Sequence, residues 1–348
     1  MLSVRIKKQL GGFRLNVDFE TDGEILGLLG ASGCGKSMTL KCIAGIEQPD
    51  EGRVVLDGKT LFDSRKRIDL KPQQRRVGYL FQQYALFPNM TVRQNIHAGS
   101  REKDDKKKEA AVADMIRSMR LENMEQKRPH QISGGQQQRA ALARILINEP
   151  DILLLDEPFT ALDSYLKWQV ELEVADMLKK FGRGAILVTH SRDEVYRLCD
   201  SVCVLQAGKS EGRQKKGALF ESPVTLAACL LSGCKNFSRI HPAEDGIVEA
   251  LDWGVRLKLP GAMPEGATHV GIRAHYITVS GEPSGENSFS CTVERVVEDI
   301  FSTVLMLSPG DGCSLLRVEG EKDYLGTLKT GQKVYAGLPS GSLMPVRE

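Results

Sequence analysis

The sequence has no long apolar run. Its apolar stretches, such as Ile152–Leu155, fall far short of the roughly 18 residues needed to cross a bilayer. Any pore that this chain served would have to be built by other subunits. It has no excess of either charge: 47 Lys and Arg stand against 45 Asp and Glu, a net +2, so no bulk positive field marks a nucleic-acid partner. It has no metal-binding cluster of cysteines. Its 8 cysteines are dispersed, and Cys199 and Cys203, four apart, gain no second close pair or histidines that would make a zinc site. The opening MLSVRIKKQLGGF has no apolar stretch behind its charges, so no signal peptide is expected, and a cytosolic compartment with reduced thiols is. What is present is an ordinary folded composition, 41% hydrophobic and 26% charged, over 348 residues, a length that suits two domains.

The first two-thirds reads as α/β. Gly23–Gly30 is a short apolar run ending in a glycine loop, and Met38–Ala44 behind it suits a helix. Val54–Leu56 and Val77–Phe81 read as short strands. Ile152–Leu155 and Ala185–Val188, apolar throughout, read as buried parallel strands. Arg101–Glu109 is fully charged and reads as a solvated loop or helix start, and Glu109–Leu121 carries helical spacing. This alternation predicts a parallel sheet with helices on both faces. After a probable helix, Val224–Leu231, the pattern changes. Runs at Gly246–Leu251, Val255–Leu259, Val270–Ile272, Ser290–Val297, Thr303–Leu307, Leu315–Val318 and Lys333–Ala336, broken by Gly, Pro, Asp and Asn, predict a small all-β barrel or sandwich. The expected division is 1–233 and 234–348.

Three segments carry chemistry. Gly30–Ser37, GASGCGKS, fits the phosphate-binding P-loop G-x-x-x-x-G-K-[ST]. Its glycines (Gly30, Gly33, Gly35) let backbone N–H groups turn inward around phosphate, with Ser32 and Cys34 contributing backbone donors. The helix that follows, from Lys36 through Met38, aims its positive end at the same anion. Lys36 would reach the β- and γ-phosphates of ATP, and Ser37 would hold Mg²⁺. Ile152–Glu157, ILLLDE, ends a strand in two carboxylates: Asp156 for Mg²⁺ and Glu157 as general base for water. Ile132–Arg139, ISGGQQQR, begins a helix with a cap hydroxyl and free N–H groups. That is an anion site or simply a capped helix, and physics alone does not choose.

The ordered set GASGCGKS, FQQ, ISGGQQQR, ILLLDEP, ALD and VTH resembles the nucleotide-binding subunit of ABC transporters, over about residues 1–230. The resemblance implies a P-loop NTPase fold with a RecA-like core and a helical subdomain. It implies two copies paired head to tail, each ATP lying between the P-loop of one and Ser133, Gly134, Gly135 and Gln136 of the other. Gln82 would touch Mg²⁺ and water and relay nucleotide state to membrane subunits; Asp163 would cross the dimer interface; His190 would contact the γ-phosphate. Phe13 is the candidate to stack on adenine, with a core role equally open. Met38 stands where Thr or Ser is common, and Cys34 lies inside the loop, where it is expected to make the site sensitive to oxidation. Tyr84–Ile96 is similar to the importer branch, in which this region adjoins a coupling helix of the permease.

Residues 235–348 resemble the OB-like β-barrel regulatory domain (TOBE/MOP-type) of several importer ATPases, with Gly271-Ile272-Arg273-Ala274-His275 standing for a Gly-Ile-Arg-Pro motif. The importer resemblance implies permease subunits in the membrane, a solute-binding protein beyond them, and a place on the cytoplasmic face of the membrane. Molybdate or a related oxyanion is the expected cargo; sulfate, iron(III), polyamine and sugar importers share much of the pattern. The tail domain is expected either to bind oxyanion, with Ser302, Thr303, Ser308 and Lys329 available, or only to stabilise the dimer. Soluble ABC proteins acting on ribosomes or DNA usually carry two cassettes or a coiled-coil insertion, and this chain shows neither.

Overall fold

The chain starts in alternation. Leu2–Leu10 (β1) buries Leu2, Val4 and Ile6, and Phe13–Thr21 (β2) buries Leu15, Val17, Phe19 and Thr21, the period-two signature of strands with one face in the core. The computed structural model describes every residue except Ala161, Asp163 and Asp245, and only the backbone of 164–166. After β2 come β3 (Ile25–Leu29), α1 (Lys36–Ala44), β4 (Glu51–Leu56), β5 (Lys59–Asp63), β6 (Ile68–Asp69) and β7 (Val77–Leu80). Three helices follow, α2 (Val92–Gly99), α3 (Asp105–Ser118) and α4 (Gly134–Leu146). Then come β8 (Ile152–Asp156), α5 (Ser164–Phe181), β9 (Ala185–Thr189), α6 (Arg192–Leu198), β10 (Ser201–Gln206) and the two-residue β11 (Lys209–Ser210) and β12 (Gln214–Lys215).

These strands form one mixed sheet. Its core, in the order β10-β3-β9-β8-β7, is parallel; its wing, β6-β5-β4-β1-β2, is antiparallel. β8 and β9 are buried at every residue, which is why they read as unbroken apolar runs. Helices α2 to α4 make a separate small core from Val92, Ile96, Val112, Ile116, Leu121, Ile132, Ala140 and Ala143. The charged run at 101–109 turns out to straddle a helix start: Asp104 caps α3 by accepting from the Lys107 N–H at 3.0 Å.

The second unit begins inside α7 (Lys216–Glu221), at Gly217, and continues with α8 (Leu226–Leu231), β13 (Asn236–Glu244), β14 (Ile247–Ala250), β15 (Val255–Lys258), β16 (His269–Ile272), β17 (Thr278–Ser280), β18 (Ser288–Glu298), β19 (Thr303–Ser308), β20 (Leu316–Gly320), the short α9 (Lys322–Leu325), β21 (Lys333–Gly337) and β22 (Met344–Val346). Among the described residues these strands form two five-stranded antiparallel sheets, β15-β14-β13-β16-β22 and β17-β21-β18-β19-β20, around a common core that includes Trp253. The compact units divide between Lys216 and Gly217, ahead of the expected junction after residue 233. The reason is packing. Leu226 and Cys229 of α8 pack with Met344 and Val346 of β22, and Arg273 Nη1 donates to Ser232 O at 2.6 Å.

Candidate active site at the edge of the parallel sheet

Four neighbouring parallel strands, β3, β9, β8 and β7, each end in a segment singled out from the sequence: the loop Gly30–Ser37, His190, Asp156 with Glu157, and Gln82. Parallel strands leave their carboxyl ends on one edge, so segments far apart in sequence become adjacent there, the usual binding place of open α/β sheets.

The loop after β3 needs its glycines. A Cβ at Gly30 would sit 2.3 Å from Leu205 O, and Gly35, at φ 106°, has Leu15 Cδ1 2.6 Å and Phe13 Cζ 3.2 Å from where a Cβ would lie. Lys36 is buried and donates from Nζ to Gly30 O at 2.8 Å and to Ala31 O at 2.9 Å, which curls the loop around its ammonium. Ser32 and Gly33 are exposed at the crest of the loop. Met38 is half-buried against the sheet core, as is Phe13, whose ring lies beside Gly35. Cys34 is buried, and burial pushes its thiol above the ordinary cysteine value. Little thiolate is then present, so the expectation of an oxidation-sensitive loop does not fit its surroundings.

Ser37 Oγ donates to Asp156 Oδ1 at 2.7 Å, and Tyr79 OH, on β7, donates to Asp156 Oδ2 at 2.8 Å. Burial first, and then the neighbouring carboxylate, push the Tyr79 phenol well above its ordinary value, so it remains a donor. Asp156 and Ser37 are oxygen donors of the kind hard cations take, and they meet at the mouth of the phosphate loop; the donor set fits Mg²⁺.

Glu157 has a left-handed backbone, φ 45°, a conformation costly for a residue with a side chain and frequent at functional sites. Its N–H donates to Val188 O at 3.1 Å, Thr160 Oγ1 donates to its Oε2 at 3.1 Å, and His190 Nδ1 lies 3.6 Å from its Oε1. The structure thus brings Glu157 and His190 together. Gln82 is exposed in the turn after β7 and makes no side-chain hydrogen bond among the described residues. The chain beyond it passes through two left-handed residues, Tyr84 (φ 57°) and Ala85 (φ 47°). Tyr84 is buried, its phenol is pushed up to about 12 by burial, and its OH donates to Pro158 O at 3.2 Å. The Gln82 loop is thereby tied to the residue that follows Glu157.

Ser133 caps α4. Its N–H donates to Gln136 Oε1 at 2.9 Å, and its Oγ accepts from the Gln136 N–H at 3.4 Å, a capping box. Gly134 and Gly135 lie against Leu162 and Val170, 3.0 Å from where a Cβ would be in each case. Among the described residues no hydrogen bond joins this helix start to the loop 30–37. Asp163 lies outside the described residues.

Reading the sequence alone missed Tyr79, Tyr84 and Thr160. Tyr79 had a signal: a phenol on a strand beside a buried strand needs a partner, and its register opposite Leu154 puts it two residues from Asp156.

The family described as ABC transporter matches residues 14–160. The chain is 36% identical over 320 residues to the spermidine/putrescine import ATP-binding protein PotA of Nitratidesulfovibrio vulgaris, covering 87% of this chain and 84% of that one. It is 38% identical over 313 residues to the molybdenum import ATP-binding protein ModC of Paramagnetospirillum magneticum, covering 86% and 84%. Among solved structures, the dimeric post-hydrolysis state of the ATP-binding cassette MJ0796 bound to ADP and Pi matches at TM-score 0.52 and 28% identity, over 62% of this chain and 99% of that chain. The chain belongs to the ABC transporter family, as an ATP-binding, ATP-hydrolysing subunit of its import systems. Among the described residues no helix is long and apolar enough to cross a membrane.

Proposed function

We propose that this subunit hydrolyses ATP between two copies of itself, on the cytoplasmic face of the membrane, and so drives permease subunits that import molybdate or a related oxyanion delivered by a solute-binding protein. The observation that carries the chemistry is the meeting of Ser37 with Asp156 at 2.7 Å beside Glu157 and His190, 3.6 Å apart.

Lys36 exchanges the carbonyls of Gly30 and Ala31 for β- and γ-phosphate oxygens, and the N–H groups of residues 32–38 close around the phosphates. Ser37 and Asp156, with Gln82 from the adjoining turn, would hold Mg²⁺, which would supply positive charge to neutralise the transferred phosphoryl group. Glu157 takes the proton of the attacking water, and His190 donates to the γ-phosphate. Phe13, beside Gly35, offers its ring to adenine. Among the described residues no hydrogen bond joins the capped start of α4 to the phosphate loop, which supports completion of each site by Ser133, Gly134, Gly135 and Gln136 of a second copy; Asp163, expected to cross that interface, lies outside the described residues.

Coupling to a permease has its own support. Asn95, fully buried, accepts from the Phe87 N–H at 2.8 Å and donates to Phe87 O, Met90 O and Thr91 O at 3.1–3.2 Å. That loop is held rigid while the Phe87 ring is left exposed, with Arg144 5.0 Å above it. A fixed loop with an outward aromatic next to the Gln82 turn suits a receiving surface for a coupling helix.

For cargo, similarity to the molybdenum protein supports an oxyanion; a polyamine is the second reading, supported by the comparable similarity to PotA. In either case the all-β unit serves as the OB-like regulatory domain. Calorimetric titration of the full chain with molybdate, tungstate, sulfate and spermidine tests this. Binding of molybdate and tungstate but not sulfate or spermidine is expected. Binding of spermidine alone would replace the oxyanion reading, and no binding would reduce the second unit to a structural role.

A further inference from the structure

Helix α8 ends in a Schellman turn. Gly233, at φ 100°, follows the cap; the Cys234 N–H donates to Cys229 O and the Gly233 N–H to Leu230 O, both at 3.1 Å. Those are the 6→1 and 5→2 bonds of the motif, which press together the side chains at its first and last positions. A hydrophobic pair usually fills them. Here both are cysteine.

The two sulfurs meet over Gly271. A Cβ there would lie 2.8 Å from Cys229 Sγ and 3.0 Å from Cys234 Sγ, so the absence of a side chain on β16 makes room for both. Cys234 Sγ also lies 3.1 Å from Asn236 O and 3.3 Å from Ile272 O, which fixes its position. Hydrogen bonding from the Cys229 thiol holds the Cys234 thiol below its ordinary value, with Arg273 adding its positive charge, while Cys229 is pushed up. Cys34, Cys42, Cys199, Cys203 and Cys291 differ: burial pushes each of them up, and none shares its site with a second thiol among the described residues.

We propose that Cys229 and Cys234 form a reversible dithiol–disulfide site whose oxidant is a small peroxide. Both side chains are buried, at 0% and 1% exposure, which excludes a bulky peptide disulfide as oxidant and requires a local opening of the turn before even hydrogen peroxide reaches them. The Cys234 thiolate attacks one peroxide oxygen; the O–O bond breaks, hydroxide leaves and takes up a proton, and Cys234 becomes a sulfenic acid. Cys229 Sγ then attacks Cys234 Sγ; the S–S bond forms, the S–O bond breaks, and hydroxide leaves with the Cys229 proton as water. Two thiols are oxidised by two electrons and one peroxide is reduced to two waters. The 6→1 turn sets Cys229 and Cys234 at the two positions whose side chains face each other across the end of the helix. The ring it closes contains Ser232, whose carbonyl and hydroxyl accept from Arg273 at 2.6 and 3.2 Å, so the bridge tightens the turn that anchors α8 to the β-unit.

The test is thiol counting on the full-length chain under denaturing conditions after brief exposure to hydrogen peroxide, with peptide mapping. The expected result is loss of two of the 8 thiols, full recovery with dithiothreitol, and a cross-linked peptide joining residues 229 and 234. In Cys229→Ser, Cys234 is expected to stop at the sulfenic acid and be captured by dimedone. Retention of all thiols, or a bridge that maps to other cysteines or between chains, overturns the proposal.

Discussion

Asp156 accepts from two hydroxyls at once, and both contacts reach it from outside its own strand: Ser37 from α1 and Tyr79 from β7. Tyr79→Phe leaves Oδ2 of a buried carboxylate unpaired, which costs about 1–3 kcal/mol. Urea unfolding should show that loss, and the Mg²⁺ concentration needed for half-maximal ATP hydrolysis should rise; unchanged values in both would remove Tyr79 from the site. Glu157 is the residue whose chemistry is least replaceable. Glu157→Gln keeps the size and the left-handed backbone but cannot accept a proton from water, so phosphate release should fall by about 10²–10⁴ while ATP binding persists. Near-normal turnover would mean that another group is the base.

Elements position these residues through close approaches that no side chain could share. β3 and β10 run parallel, and the chain leaving β3 passes Leu205 of β10 so closely that a Cβ at Gly30 would lie 2.3 Å from its carbonyl oxygen. Backbone cannot yield as a flexible side chain does, so Gly30→Ala should destabilise the first unit by about 1–3 kcal/mol, measurable by urea unfolding, and weaken nucleotide binding with it. The loop after Gln82 depends on Asn95 in the same way. Asn95→Ala takes from the Phe87 N–H and the Met90 carbonyl their partner, while the Phe87 and Thr91 carbonyls keep a backbone N–H, and should cost about 1–3 kcal/mol. If the exposed Phe87 receives a coupling helix, Phe87→Ala should leave the isolated chain's ATP hydrolysis within twofold of normal and reduce its copurification with permease-containing membranes.

At the scale of the whole molecule, the proposed function makes the phosphate loop and the capped start of α4 two half-sites. With Glu157→Gln present to stop turnover, light scattering should show the mass doubling when ATP is added and reverting when it is removed. Adding Ser133→Glu places a negative charge against the bound phosphates and should abolish that doubling, while ATP still binds to the single chain. Doubling without nucleotide would locate the dimer contact elsewhere.

The sequence by itself determined the motifs and the strands that carry them. P-loop spacing, the strand ending in Asp156 and Glu157, and the capped Ser133 helix are local: each depends on residues within one turn or one strand, so local physics sufficed. Apolar runs buried on both faces were legible for the same reason, as at β8 and β9. The antiparallel wing of β1 and β2 went unread, although its alternation is plain in Leu2, Val4 and Ile6, because polar residues on the open face dilute it. Only the tertiary structure decided that Tyr79 serves Asp156, that Tyr84 ties the Gln82 turn to Pro158, and that α8 belongs with the β-unit. It also decided that Cys34 is shielded while Cys229 and Cys234 share a site over Gly271. Each of these depends on which strands lie side by side and which residue lacks a Cβ where two chains cross. Such neighbours are set by packing across the whole fold, and nothing in the local spacing of residues encodes them.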